Sequence, residues 1–110
     1  MKKVILADGT IISNCTDSTT TNEIYVLRES YGDAGAVRDL FNQTNASLIK
    51  VEDENGDLLT KNANLVLLED VSISPVDGGY VCLIKTRVKT EMEIMKDEIA
   101  ELQEAIIIGE

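Results

Sequence analysis

Three glycine-bearing dipeptides constrain this chain more than any other feature. Asp8-Gly9, Asn55-Gly56 and Asp77-Gly78 each lie between runs of apolar or β-branched residues. Asp or Asn followed by Gly accepts the positive φ that tight turns demand, so each pair marks a reversal between antiparallel strands. At the first, Val4-Ile5-Leu6-Ala7 and Thr10-Ile11-Ile12 predict a hairpin with a two-residue turn. A chain punctuated in this way is committed to an antiparallel sheet.

The intervening residues fill in that sheet. Residues 13–22, with four threonines, read as a polar loop, and the threonine-rich part at 16–21 as a solvated connection. Residues 23–28 are β-branched and aromatic and predict a strand. Asp33 can cap a short helix whose Val37, Leu40, Phe41 and Thr44 share one side. Residues 47–52 alternate Ile49 and Val51 against Leu48, Lys50 and Glu52. Residues 64–69 and 71–73 are apolar enough for central strand, with Pro75 ending the run. Residues 80–88 predict the last strand, Val81 and Leu83 on one face, Cys82 and Ile84 on the other. The order β-β-β-α-β-β-β-β-α defines an α+β domain with a mostly antiparallel sheet, one short packed helix and a closing amphipathic helix.

From about Thr90 glycine and β-branched residues give way to good helix formers. Val88, Met92, Met95, Ile99, Leu102 and Ile106 recur at spacings of four and three, a heptad seam with Met92, Ile99 and Ile106 at a and Val88, Met95 and Leu102 at d. The chain therefore divides into a β-rich body, residues 1–87, and an oligomerisation helix, residues 88–110, that forms a short coiled coil. The opposing reading is that this helix folds back on its own sheet. The narrow 3,4 stripe favours a partner helix, most simply a second copy, in a dimer or trimer. Seven acidic side chains accompany only two lysines from residue 89 onward, so the seam must outweigh self-repulsion.

Composition limits the chemistry. With 110 residues the chain fits one domain. A net charge of −10 repels nucleic-acid phosphates and argues against direct binding of DNA or RNA. There is no histidine, hence no triad or histidine general base. Cys15 and Cys82 stand far apart without a CxxC and read as structural thiols, although one disulfide is an alternative. Asp53-Glu54-Asn55-Gly56-Asp57 looks like the start of a calcium loop, yet Leu58 stands where an EF-hand needs Gly and Asn64 where it needs Glu. A polar hairpin turn accounts for it better. No catalytic, cofactor or metal residue is expected, and no enzyme. Without a signal peptide or an apolar run of membrane length, the expected location is a cytoplasm or a particle packed from there.

The segments KKVILADGTII, SLIKVEDENGDLL, NLVLLEDVSI and YVCLIKTRV, with a central short helix and a closing acidic one, are similar to small proteins encoded in tail and baseplate loci of phages and prophages of Gram-positive bacteria. The resemblance covers most of the chain as a pattern and transfers no functional residue. It implies a setting, virion assembly or the infected cell, which makes the expected location a bacterial cytoplasm or a virion. The role expected there is that of a non-enzymatic structural or adaptor protein of a tail or baseplate, docking on another virion or host protein. The alternative is a soluble acidic inhibitor of host defence, acting by binding or sequestration, with Glu93, Glu101 and Glu104 as its contact face.

Overall fold

Each glycine dipeptide does reverse the chain, and the reversals fix the sheet. The computed structural model describes residues 1–68 and 71–108, with side chains of the closing helix described through residue 100. β1 (Lys2–Leu6) and β2 (Ile11–Cys15) pair antiparallel, followed by β3 (Glu23–Arg28), α1 (Tyr31–Leu40) and a 3-10 turn at Asn45–Ser47. β4 (Ile49–Glu52), β5 (Leu58–Asn62), β6 (Leu65–Leu67), β7 (Ser72–Val76), β8 (Gly79–Val88) and α2 (Glu91–Ile108) complete the order. The fold is α+β, an eight-stranded antiparallel sheet with two α-helices.

Turn geometry explains one departure from expectation. The first hairpin has a three-residue loop rather than two. Leu6 pairs with Thr10, its amide donating to the Thr10 carbonyl at 2.9 Å, and the Gly9 amide donates to Leu6 at 3.0 Å. Gly9 takes φ of +88°, the left-handed residue that completes such a loop. Asn55-Gly56 repeats the design: the Asp53 amide donates to Asp57, and Gly56, at φ +84°, donates to Asp53. Here the Asp53 carboxylate accepts the amides of Asn55 and Asp57, both at 2.9 Å. That carboxylate is a turn-former.

The strands run in the order β5-β4-β1-β2-β3-β8-β6, with β7 also paired to β8. β8 is long enough to serve three neighbours. One edge pairs along its length with β3, from Arg28 opposite Tyr80 to Glu23 opposite Lys85. The other takes β7 at Gly79–Leu83 and β6 at Thr86–Val88. Against the expectation that segments 64–69 and 71–73 are central, β6 and β7, the strands described there, lie at an edge; residue 69 is outside the described residues. Pro75 lies inside β7, opposite Tyr80, as an edge strand permits. Five strands follow α1, one more than expected.

The sheet is strongly curled. β5 and β6 stand at opposite ends of the strand order, yet only Ala63 and Asn64 join them. Three residue steps reach at most about 11 Å, whereas six flat inter-strand spacings would separate the two strands by roughly 29 Å. The edges must approach each other, as in a partly closed barrel. Asn64 makes the join in a left-handed conformation, φ +57°. Asn62 Nδ2 donates to Thr21 Oγ1 at 2.6 Å, and Thr86 Oγ1 donates to the Thr21 carbonyl at 2.6 Å. Residues 13–15 belong to β2, and the 16–21 connection is only partly solvated: Thr19 and Thr21 are buried, Thr19 bonded to Tyr25 of β3 and Thr21 to Asn62 across the closure.

Alternate residues of the strands fill the interior: Val4, Leu6, Ile12, Ile24, Val26, Ile49, Val51, Leu65 and Ile84, with Cys15 and Cys82 among them. α1 adds Ala34 and Val37. Its cap is Ser30, whose hydroxyl accepts the Asp33 amide at 3.1 Å, so Asp33 is a first-turn residue rather than the cap. The helix ends at Leu40, which is exposed; Phe41 leaves it with extended backbone and so enters the core. Phe41 and Leu40 therefore do not share a buried face, and Thr44, beyond the helix, is exposed.

Candidate functional site

The corner where β8 becomes α2 is built by five consecutive or near-consecutive residues. The Lys89 amide donates to the Asn64 carbonyl at 2.8 Å, anchoring the corner to the barrel closure. Thr90 and Glu93 then form a capping box: Thr90 Oγ1 accepts the Glu93 amide at 3.2 Å, and Glu93 Oε1 accepts the Thr90 amide at 3.1 Å. Arg87, exposed on β8, donates from Nη1 to Glu93 Oε1 at 2.6 Å and from Nη2 to Oε2 at 3.1 Å. Lys89 Nζ donates to Asp97 Oδ2 at 2.8 Å. Arg87 first, then the Thr90 amide, hold the Glu93 carboxyl down at about 2.

Val88 is the last residue of β8, opposite Leu65, so it does not belong to the helical seam. The strand ends at Val88, as the reading of residues 80–88 expects, and β6 pairs with it to that point. Met92, Met95 and Ile99 do lie on α2, at 67%, 57% and 50% exposure. Leu102 and Ile106 are in the same helix, but their side chains, like those of Glu101 and Glu104, lie outside the described residues. Ile94, off the seam, is half-buried together with Glu93. Up to residue 100, then, only Glu93 and Ile94 of α2 are half-buried, and Met92, Met95 and Ile99 of the predicted stripe are in solvent.

Glu93 is consequently not a free member of an acidic contact face. Both its oxygens are occupied within the chain. The Thr90-x-x-Glu93 spacing before an apolar run was the signal for this role, and Arg87 six residues ahead of Glu93 was the part only the folded corner shows.

A second feature lies at the opposite end of β8. A cleft of about 520 Å³ opens between the end of β3, the start of α1 and the β7–β8 turn, lined by Arg28, Glu29, Asp33, Asp77 and Tyr80 among others. Gly79 is obligatory there, since a Cβ would come within 2.2 Å of the Arg28 carbonyl oxygen. Arg28 Nη1 is spent on the carbonyls of Ser13 and Leu27, at 3.0 and 2.7 Å. Tyr31 and Tyr80 meet edge-to-face at 5.7 Å beside it. Its described walls bring three carboxylates, Glu29, Asp33 and Asp77, together with Arg28 and the Tyr80 ring.

The two thiols fall in one row across the sheet: Cys15 opposite Val26, and Val26 opposite Cys82. Two strand spacings put them roughly 10 Å apart, beyond the reach of a disulfide. Both are buried and free. Burial raises the Cys15 thiol to about 11 and that of Cys82 in the same direction. Among the described residues no three His, Cys, Asp or Glu side chains group to hold a metal, and no helix is long and apolar enough to cross a membrane. Comparisons with protein-family models, curated proteins and solved structures returned no match.

Proposed function

We propose that this chain is a non-enzymatic assembly protein whose curled β body docks on a neighbour and whose α2 bundles copies together. The observation that carries the reading is the exposure of Met92, Met95 and Ile99 on a helix whose start is fixed by Arg87, Thr90 and Asn64. Leaving three large apolar side chains in water on one helical stripe is unfavourable, and covering them with the same stripe of a second copy removes that cost. We read this role as one in a phage particle, where repeated copies meet symmetric neighbours; what supports that setting is the resemblance of the sequence pattern to tail and baseplate proteins.

The inhibitor reading draws its contact surface from Glu93, Glu101 and Glu104. Occupation of Glu93 by Arg87 weakens it relative to assembly.

Light scattering on the intact chain and on Ile99→Asp tests the proposal. A dimer or trimer that falls to monomer on substitution supports it. A monomer in both overturns it and directs attention to the body. Reversing the charge of Glu101 and Glu104 leaves assembly in place under this reading, whereas it abolishes partner binding under the other.

A further inference from the structure

We infer that the copies associate with their α2 helices parallel, Glu91 of each pairing with Lys96 of the next, so that the β bodies emerge at the same end of the bundle. The inference rests on the self-association proposed above and adds its direction.

Charge placement around the seam carries it. With Met92 and Ile99 at a and Met95 at d, the flanking positions are Glu91 and Glu98 at g and Lys96 and Gln103 at e. In a parallel bundle g of one helix faces the following e of its neighbour: Glu91 meets Lys96, and Glu98 meets the neutral Gln103. In an antiparallel pair g faces g and e faces e. In the register centred near the middle of the helix Glu91 and Glu98 would then oppose one another, and in no register would Lys96, whose counterpart is an e position, gain a carboxylate of α2.

The folded corner explains why these two side chains are available. Of the residues three or four positions from Lys96, where helical side chains meet, the one carboxylate is Glu93, which Arg87 and the Thr90 amide already occupy. Asp97 is taken by Lys89. Glu91 and Lys96 are both exposed, and neither makes an ion pair among the described residues. Much of the acidic excess of the helix thus sits away from the seam, and two of those carboxylates are neutralised within the chain. Self-repulsion at the contact is far smaller than the composition suggests, and what flanks the stripe in its first heptad is one charge of each sign. Such a surface is complementary to itself; a basic partner would gain Glu91 but meet Lys96.

Met92→Cys tests the direction. In a parallel bundle the two introduced thiols face each other, whereas in an antiparallel pair centred on the helix they lie roughly 20 Å apart along the axis at 1.5 Å per residue, out of disulfide range. Cys15 and Cys82 are buried and do not compete. Under a glutathione redox buffer the expected result is a disulfide-linked dimer on a non-reducing gel. An oligomer by light scattering that forms no such link overturns the parallel arrangement alone; a monomeric intact chain overturns self-association and this inference with it. Charge exchange supplies a second readout that leaves the seam untouched. Glu91→Lys and Lys96→Glu should each weaken association about tenfold, and the double exchange should restore it to within about twofold. Additive losses in the double variant would overturn the pairing.

Discussion

Arg87 and Glu93, six residues apart, grip each other through two charge-assisted hydrogen bonds across the corner between β8 and α2. The same carboxylate closes the capping box with Thr90. One side chain therefore sets both where the helix starts and how it leaves the body. Under the assembly role proposed above the second matters as much as the first, because the direction of α2 determines which stripe is offered to a neighbour.

Thr90→Ala should destabilise the first turn of α2 by about 1 kcal/mol, the usual cost of losing an N-cap hydroxyl. Hydrogen exchange of the amides at 91–94 should quicken about fivefold, while those of β3 and β8 stay protected. Unchanged exchange at 91–94 would show that the box does not hold the helix start.

The corner should tolerate acid well. An ordinary glutamate titrates at 4.5, and Glu93 is held down to about 2. A carboxylate depressed in the folded state contributes fully above its unfolded pKa, and that contribution is lost as pH falls through the folded value. The Arg87–Glu93 pair should therefore persist at pH 4 and break near pH 2. Carbon NMR of the Glu93 carboxyl reads this directly, and a midpoint close to 4.5 would dissolve the pair.

Two glycines should answer the same substitution with opposite signs. At Gly79 a Cβ meets the Arg28 backbone at 2.2 Å, so Gly79→Ala should cost about 1–3 kcal/mol as β3 and β8 are forced apart. At Gly35, inside α1, the nearest atom to an added Cβ is the end of the Arg38 side chain at 3.8 Å. Gly35→Ala should stabilise by about 0.5–1 kcal/mol. Urea denaturation of both variants decides the matter.

Neither thiol should react in the folded protein. Cys15 is held in the thiol form up to about 11, and the thiolate is the reactive species. Labelling with an aromatic disulfide at pH 8 should be slow in the native state and stoichiometric at both cysteines after denaturation. A mild oxidant should leave the mass free of an internal disulfide.

Much of this fold could be read from local chemistry. Gly9, Gly56 and Gly78 all adopt positive φ, and that demand is visible in any sequence. The alternation of Ile49 and Val51 against their polar neighbours placed β4 and its buried face. What escaped was set at long range. Whether residues 65–67 and 72–76 lie centrally or at an edge depends on how much of β8 is left for them, and no local pattern encodes that. Thr19 and Thr21 look like solvent residues until barrel closure brings Asn62 to Thr21. Val88 fits the heptad perfectly well on spacing, but β6 claims it for the sheet. In the candidate site the Thr90–Glu93 box was legible from its spacing, and its lock to Arg87 was not.

β8 comes late in the chain but sits in the interior of the sheet, between β3 on one side and β6 and β7 on the other. A chain emerging from the ribosome therefore exposes the edge of β3 until residues 79–88 have appeared, and bare strand edges invite pairing with other chains. Since α2 follows β8 directly, the helix proposed to join copies is synthesised only after the strand that completes the body. Under that proposal, folding precedes assembly by position along the message, and a protein truncated before β8 should aggregate rather than assemble.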